Sequence, residues 1–555
     1  MFPKIVELRQ DRSLISTDFD GYKLSLDPVP VLRQEFPDKP MQAKPSEEQY
    51  SFLHVELFGM HNHLVQDPWD RLASYFITEN KEIFKSFYDE NDRKPSPLQK
   101  VCQLKTDRVM RPGDYNVTFL FVSETYAVLC DGIKEIFLFD TGNRNESSDW
   151  KLVHKDTVHE DFRGFVVRDS QIETVEGEQI INVALQHVHK DTKSQAYVTQ
   201  IVVGNFKQNV EGKWDFQRTN TLTKRGSVHY CAFQPKSQTL VLSSATKIAI
   251  DNTQKTFNEN DQLKSNYNWQ QTEEDITVKF CKRETASVKD YKVITTENNI
   301  EIKHYEDIIL AGALFSSIDH ELTTWTLEDD ALQVVLCKKS PGHWSYFIEN
   351  GHPEALPGTE INSENEGQPI SNLEDHIEEC DIPANNLEEF TIERIKLDDG
   401  NVSHKIFLGG SPPLFCSRFK AGYPPAIITR QDVDASVWLP YLDPSNPDEW
   451  YLKHEGNLDA FGYVQASKQQ KKFMDCAPDL SYSVICESQR HVFIYKACHG
   501  SASGLRNRKG PGVSLGKQQL VVLEDSKEVL GLVTANHFVT LLTEKTLFYL
   551  KLNQS

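Results

Sequence analysis

Short apolar runs separated by polar turns recur along most of the chain, with little helical periodicity, and this pattern predicts a mostly β protein. The cadence is clearest in VTFLFVSETYAVLCDGIKEIFLFDTG (117–142), HYCAFQPKSQTLVLSSATKIAI (229–250), FMDCAPDLSYSVICESQRHVFIY (473–495) and LGLVTANHFVTLLTEKTLFYLKL (530–552). In these four units the second and third strands start nine, eight, nine and nine residues apart, counted from Ala127 to Ile136, Leu240 to Ile248, Ser483 to Val492 and Phe538 to Leu547. AIITRQDVDASVWLP (426–440) fits the same spacing, and SYFITENKEIFKSF (74–87) is a tighter version. A unit of three or four antiparallel strands cannot bury both of its faces alone, and radial stacking covers the faces while leaving few edges open. The expectation is an all-β fold with a β-propeller-like body of about seven blades. A sandwich or an incomplete propeller is the alternative, because the units lack a regular Trp-Asp dipeptide.

The cadence breaks between about residues 253 and 390. Inside that interval, residues 264–352 form a compact block of alternation in which Ile276, Val278 and Phe280 point one way, followed by Ile300 and Ile302, then Leu332, Val334 and Leu336. This predicts a small antiparallel β-sandwich, with Trp269, Trp325 and Trp344 as its bulkiest core candidates. From Pro353 to Glu389 there are eleven Asp or Glu and no Lys or Arg, which suits a solvated linker; Ser371, Leu373, Glu374 and Ile377 mark one short capped helix within it. The chain therefore divides into 1–252, 264–352, 353–389 and 390–555, with the first and last parts expected to build one body around the insertion.

The inserted block resembles a known family. YNWQQTEEDITVKF (267–280), KDYKVITTENNIEI (289–302) and LFSSIDHELTTWTLEDDALQVVLCKKSPGHW (314–344) are similar to the CS domain of NudC proteins, through Tyr267, Trp269 and Gln271, the Leu314, Ile318, Trp325 spacing, and the Leu336, Lys338, Trp344 ending. DGYKLSL (20–26), LFGMHNHL (57–64), GYVQASKQQKKFMDCAPDLSYSVICES (462–488) and RHVFIYK (490–496) extend the likeness to the flanks, so that it covers nearly the whole chain. The resemblance implies an α-crystallin-like sandwich that binds client or partner proteins, in company with the ninety-kilodalton heat-shock chaperone or with β-propeller clients. It implies a non-enzymatic co-chaperone or adaptor; a structural subunit of a stable complex, with the propeller as main platform, is the second reading. The signature residues Tyr267, Trp269, Leu314, Ile318, Trp325, Leu336 and Trp344 are expected in the core. The polar neighbourhood of Gln271, His320, Glu321, Lys338 and Lys339 is the expected contact surface.

Charge and motif content narrow the chemistry. A net charge of −21 repels phosphate backbones, so direct nucleic-acid binding is not expected. The charged N-terminal stretch MFPKIVELRQDRSL and the lack of any long apolar run predict a protein of the cytoplasm and nucleus, neither secreted nor membrane-spanning. Ten scattered cysteines without a Cys-x-x-Cys pair read as reduced, buried thiols. GPGVSLGKQ (510–518) lacks the first glycine and the hydroxyl of a phosphate loop, and with Arg506, Arg508 and Lys509 reads as a basic loop. His61 with His63, and His187 with His189, each offer two imidazoles but no third ligand at a recognisable spacing. Cys380 sits between Glu379 and Asp381, which disfavours a thiolate. No catalytic set, metal site or cofactor is expected.

Overall fold

The computed structural model describes residues 3–552 other than 107–108, 147–148, 176, 192–195, 209–211, 225, 236–237, 246–248, 252–266, 282–289, 306, 328–330, 343, 345–346, 349–389, 444–445, 497–513 and 525–526. The chain separates into two compact units, Met1–Thr253 with Glu388–Ser555, and Gln254–Leu387. The acidic segment and its expected helix lie outside the described residues.

Among the described residues seven sheets build the larger unit, antiparallel except where N-terminal strands join two of them, and each begins with its own first strand. In chain order these first strands are Val65–Gln66, Thr118–Phe121, Val166–Val175, Val228–Gln234, Phe415–Ser417, Lys471–Cys476 and Gly531–Thr534. One apolar cluster lies between each pair of successive sheets. Tyr75 and Phe119 share a cluster, as do Val128 and Ile181, Leu222 and Phe233, Trp438 and Ile392, Ile428 and Ile485, and Val484 and Val539. A further cluster joins Leu542 and Tyr549 of the last sheet to Phe76 and Tyr88 of the first. Sheets whose two faces are both covered by neighbours, with the last packed on the first, form a closed ring, so the body is a seven-bladed β-propeller. The ring shape answers the patterning: strands such as Ala73–Ile77 and Phe538–Leu542 are buried at every position, as strands sandwiched between two other sheets must be.

The N-terminal segment laces the ring from outside. Lys4–Ile5 pairs in parallel with Val402–Gly409 of the fourth blade, and Phe19–Leu24 pairs in parallel with Ser514–Val522 of the sixth. Val31–Glu35 then supplies the fourth strand of the seventh blade by antiparallel pairing with Thr546–Lys551, so residues from both ends of the chain share one sheet. An exposed edge is thereby paired at three blades.

One expectation needs correction. The third strand of the 229–250 unit does not continue its own sheet: Ala249–Asp251 pairs with Trp214–Lys224 of the third blade. The fourth blade's third strand is Phe390–Lys396, which follows the insertion and pairs with Thr239–Ser244. The insertion thus falls between two hydrogen-bonded neighbours, and local sequence spacing cannot report a partner more than a hundred residues away.

The smaller unit is a sandwich of two sheets. Tyr267–Gln271, Asp275–Cys281, Ala331–Lys338 and Ile318–Leu327 make one; Tyr291–Thr295, Asn299–His304 and Asp307–Ala313 make the other. Ile276, Val278, Phe280, Ile300, Ile302, Leu332, Val334 and Leu336 are all buried between them, together with Trp269, Leu314, Ile318 and Trp344. Trp325 packs against this core only partly buried.

Candidate protein-binding site

Of the polar residues singled out on the sandwich, two turn inward. Gln271 Oε1 accepts hydrogen bonds from Lys338 Nζ and from the Trp344 backbone N–H, both at 2.8 Å, while its Nε2 donates to the Trp344 carbonyl at 2.9 Å. The Lys338 side chain lies 5.8 Å from the Trp344 ring centroid, and its Nζ also donates to the Thr272 and Gly342 carbonyls at 2.7 and 2.6 Å. With the residue only 6% exposed, Lys338 fastens the strand end and the loop beyond it. A buried ammonium needs such a cage of oxygens.

His320 and Lys339 are exposed. Lys339 Nζ pairs with Glu297 at 2.6 Å, and this hydrogen bond holds the Glu297 carboxyl below its usual range. Glu297 is a member of this surface that no sequence motif marked; it reaches Lys339 because the two sheets meet at that rim. Glu321 lies on the strand Ile318–Leu327, and Tyr267 on Tyr267–Gln271, with both side chains outside the described residues. Phe315, 38% exposed, packs on Trp344 at 5.8 Å and adds an apolar element to the end of the module.

In the propeller, a cavity of about 460 Å³ is bordered by first strands and their loops, including Gln66, Phe119, Asp169, Arg418, Asp475 and Leu532. Its charges face one another. Arg418 Nη2 donates to Asp169 Oδ1 at 2.8 Å, and Arg71 donates to the Arg418 carbonyl and to Gln66 Oε1. Asp475 accepts from Thr534 Oγ1 at 2.8 Å and from the Cys476 N–H at 2.9 Å. Burial pushes both carboxyls up, opposed at Asp169 by the Arg418 guanidinium. The same burial pushes the neighbouring Cys416 thiol up to about 12, so it remains protonated at neutral pH. Sequence reading missed these residues because they come from separate blades and carry no local signature.

The segment leading into this cavity carries the helix Phe52–Phe58. Its Leu53 and Leu57 bury against Tyr115, Val166 and Val188, while Phe52 stays 68% exposed and Val55, Tyr50 and Met60 are also exposed. His61 and His63 follow, their rings perpendicular at 4.5 Å, and burial lowers His61 to about 4 and also lowers His63.

His187 and His189 stack 5.4 Å apart with Phe162 beside both. His187 Nδ1–H donates to the Gly164 carbonyl at 2.7 Å, and burial lowers the imidazole to about 4. Among the described residues, neither histidine pair is joined by a third metal-ligating atom. A histidine kept neutral in the fold but free to protonate near pH 6.5 when unfolded adds stability that is complete above about pH 6.5 and is lost as pH falls toward 4. His187→Gln, which keeps a donor for Gly164, is therefore expected to flatten the acid side of the stability profile between those values. Urea titrations at stepped pH measure it, and an unchanged slope would contradict the buried neutral imidazole.

The basic segment 506–513 lies outside the described residues, while Ser514–Gln518 belongs to the fourth strand of the sixth blade, with Gly516 and Lys517 paired to Tyr22 and Lys23. A regular strand holds its amides in the ladder and has none to cradle a phosphate. Cys380 lies outside the described residues.

The CS domain family model matches residues 265–338. NudC domain-containing protein 1 of Mus musculus is 29% identical over 588 residues, covering 98% of this chain and 98% of its own. Among solved structures, the CS domain of human KIAA1068 protein is 20% identical with a TM-score of 0.16, covering 21% of this chain and 98% of that one. Sqt1 of Chaetomium thermophilum is 9% identical with a TM-score of 0.35, covering 88% of this chain and 94% of that one.

Proposed function

Starting from a homology with NudC domain-containing protein 1 that spans nearly the whole chain, we propose that this protein is a non-enzymatic adaptor of the co-chaperone type, holding partner proteins through its CS module and its propeller. The observation that carries the reading is the insertion of a complete CS sandwich between two paired strands of a closed propeller. One chain thus carries two rigid scaffolds of a kind that present loops and edges to other proteins. The partners in this reading are the ninety-kilodalton heat-shock chaperone and proteins still folding, β-propellers among them, in the cytoplasm and nucleus.

The side-chain chemistry suits binding better than catalysis. Burial pushes Cys102 to about 11 and Cys231 and Cys486 to about 12, which suppresses thiolate nucleophiles. The guanidinium and carboxylates of the cavity are engaged with protein groups rather than aimed at open space.

Affinity purification of the full chain beside a version with 264–352 replaced by a flexible joint tests the proposal. The expected result is that chaperone and a varied set of clients accompany the full chain and are lost with the CS module. A single stoichiometric complex retained by both versions would overturn the co-chaperone reading in favour of a scaffold subunit. Fractionation of cells expressing the full chain tests the compartment, and recovery from membranes or medium alone would contradict it.

A further inference from the structure

We propose that the seam between the second and third blades holds a divalent cation of the zinc type, coordinated by His154, Asp156 and Asp215. His154 and Asp156 lie on Lys151–Thr157, the outer strand of the second blade, and Asp215 lies on Trp214–Lys224, the fourth strand of the third. One ligand atom from each of the three falls within 4.8 Å of the other two.

Several independent features point to a shared ligand. His154 and Asp156 are two residues apart on a strand and therefore share a face. The register of their strand shifts between Leu138 and Phe139, opposite His154 and Leu152, and such a bulge re-aims side chains. The imidazole is held edge-on to Phe206 at 5.9 Å, while its Nε2 is buried and makes no hydrogen bond. Burying an imidazole nitrogen without a hydrogen bond is costly, and a cation shared with the nearby carboxylate removes that cost. Nε2 stands 3.5 Å from Asp156 Oδ2. That is long for a hydrogen bond, but it is about the spacing of two ligand atoms on a tetrahedral ion with bonds of ~2.1 Å. Asp156 is oriented from its other side, where the Thr157 N–H donates to Oδ1 at 2.6 Å, and Gln217 Nε2 donates to Asp215 Oδ2 at 3.3 Å.

The donor set selects the ion. One imidazole nitrogen with two carboxylates suits a borderline first-row cation, whereas magnesium and calcium favour all-oxygen shells. Three protein ligands at a partly exposed position leave room for water. Because the ligands come from two sheets, binding would clamp one blade to the next, and the free energy of binding would add to the stability of the ring.

The test uses the full chain, stripped with chelator, and titrated with Co²⁺ followed by absorption and with Zn²⁺ followed by calorimetry. His154→Gln and Asp215→Asn are compared with the parent. Asp215 is exposed, so its variant is expected to fold with an unchanged metal-free melting temperature. The parent should bind one equivalent more than either variant, and Zn²⁺ should raise the melting temperature of the parent alone. Equal stoichiometry and equal thermal response in parent and Asp215→Asn would overturn the site and assign any uptake to cysteines or other surface groups. Absence of binding by the parent would overturn it as well.

Discussion

Trp269→Ala is expected to unfold the inserted CS module while the propeller stays folded. Trp269 is 1% exposed and packs against Phe347 at 5.8 Å, within a core that both sheets of the sandwich supply. Truncating a buried tryptophan costs about 3–5 kcal/mol. Total stabilities of small domains begin at about 5 kcal/mol, so the loss removes most of what holds this module together. Trp325, on the opposite edge strand of the same sheet, is only partly buried against the same core, and its truncation is expected to cost clearly less. Calorimetry and limited proteolysis of the full chain distinguish the two, since the module and the body are separate compact units. Cleavage within 267–348 should rise sharply for Trp269→Ala and modestly for Trp325→Ala. The reverse order would refute the placement of these two rings.

Arg144→Ala is expected to destabilise strongly the propeller seam between the first and second blades. The guanidinium is buried, with Nε donating to Asp67 Oδ2 at 2.6 Å and Nη2 to Asp67 Oδ1 at 3.1 Å. Nη1 donates to the Ser123 carbonyl at 2.9 Å and to Thr141 Oγ1 at 3.0 Å, and the group lies 4.3 Å from the Phe121 ring centroid. Removing the cation leaves the Asp67 carboxylate buried and uncompensated, at a cost of about 3–5 kcal/mol. Replacing both partners, with Asp67→Asn and Arg144→Met together, should cost less than the sum of the single changes, because no unpaired charge remains. Urea unfolding of the parent, both single variants and the double variant gives the cycle. A loss below about 1 kcal/mol for Arg144→Ala would show that water reaches Asp67, as it does in surface pairs.

The candidate surface was legible only in part. Sequence patterning located the CS strands and the polar residues that end them, yet it could not separate Lys338, folded into a cage of oxygens, from Lys339, which meets Glu297 at the rim. Lys338 ends the strand and Lys339 begins the loop beyond it, and which of the two is covered depends on how that loop folds back over Gln271 and Trp344. Arg71, Asp169, Arg418 and Asp475 were invisible for a related reason: each is an ordinary polar residue until the ring brings four blades to one cavity.

What the sequence determined by itself was local. Alternation and turn spacing specified most strands, paired strands in a cadence of about nine residues marked four of the seven blades, with a tighter version in the first and a wrong third strand in the fourth, and the apolar rows at Ile276 to Phe280 and Leu332 to Leu336 specified the sandwich core. The third blade escaped because its strands Glu178–Lys190 and Tyr197–Gln208 are far longer than the repeat and carry register shifts. Tertiary structure alone decided how strands distant in sequence pair: Thr239–Ser244 with Phe390–Lys396 across the insertion, Ala249–Asp251 with the preceding blade, and Val31–Glu35 with the last. The side-chain period states which face of a strand is buried, but backbone hydrogen bonding is nearly blind to sequence. The partner is chosen by ring closure, which covers every blade face and leaves few edges unpaired.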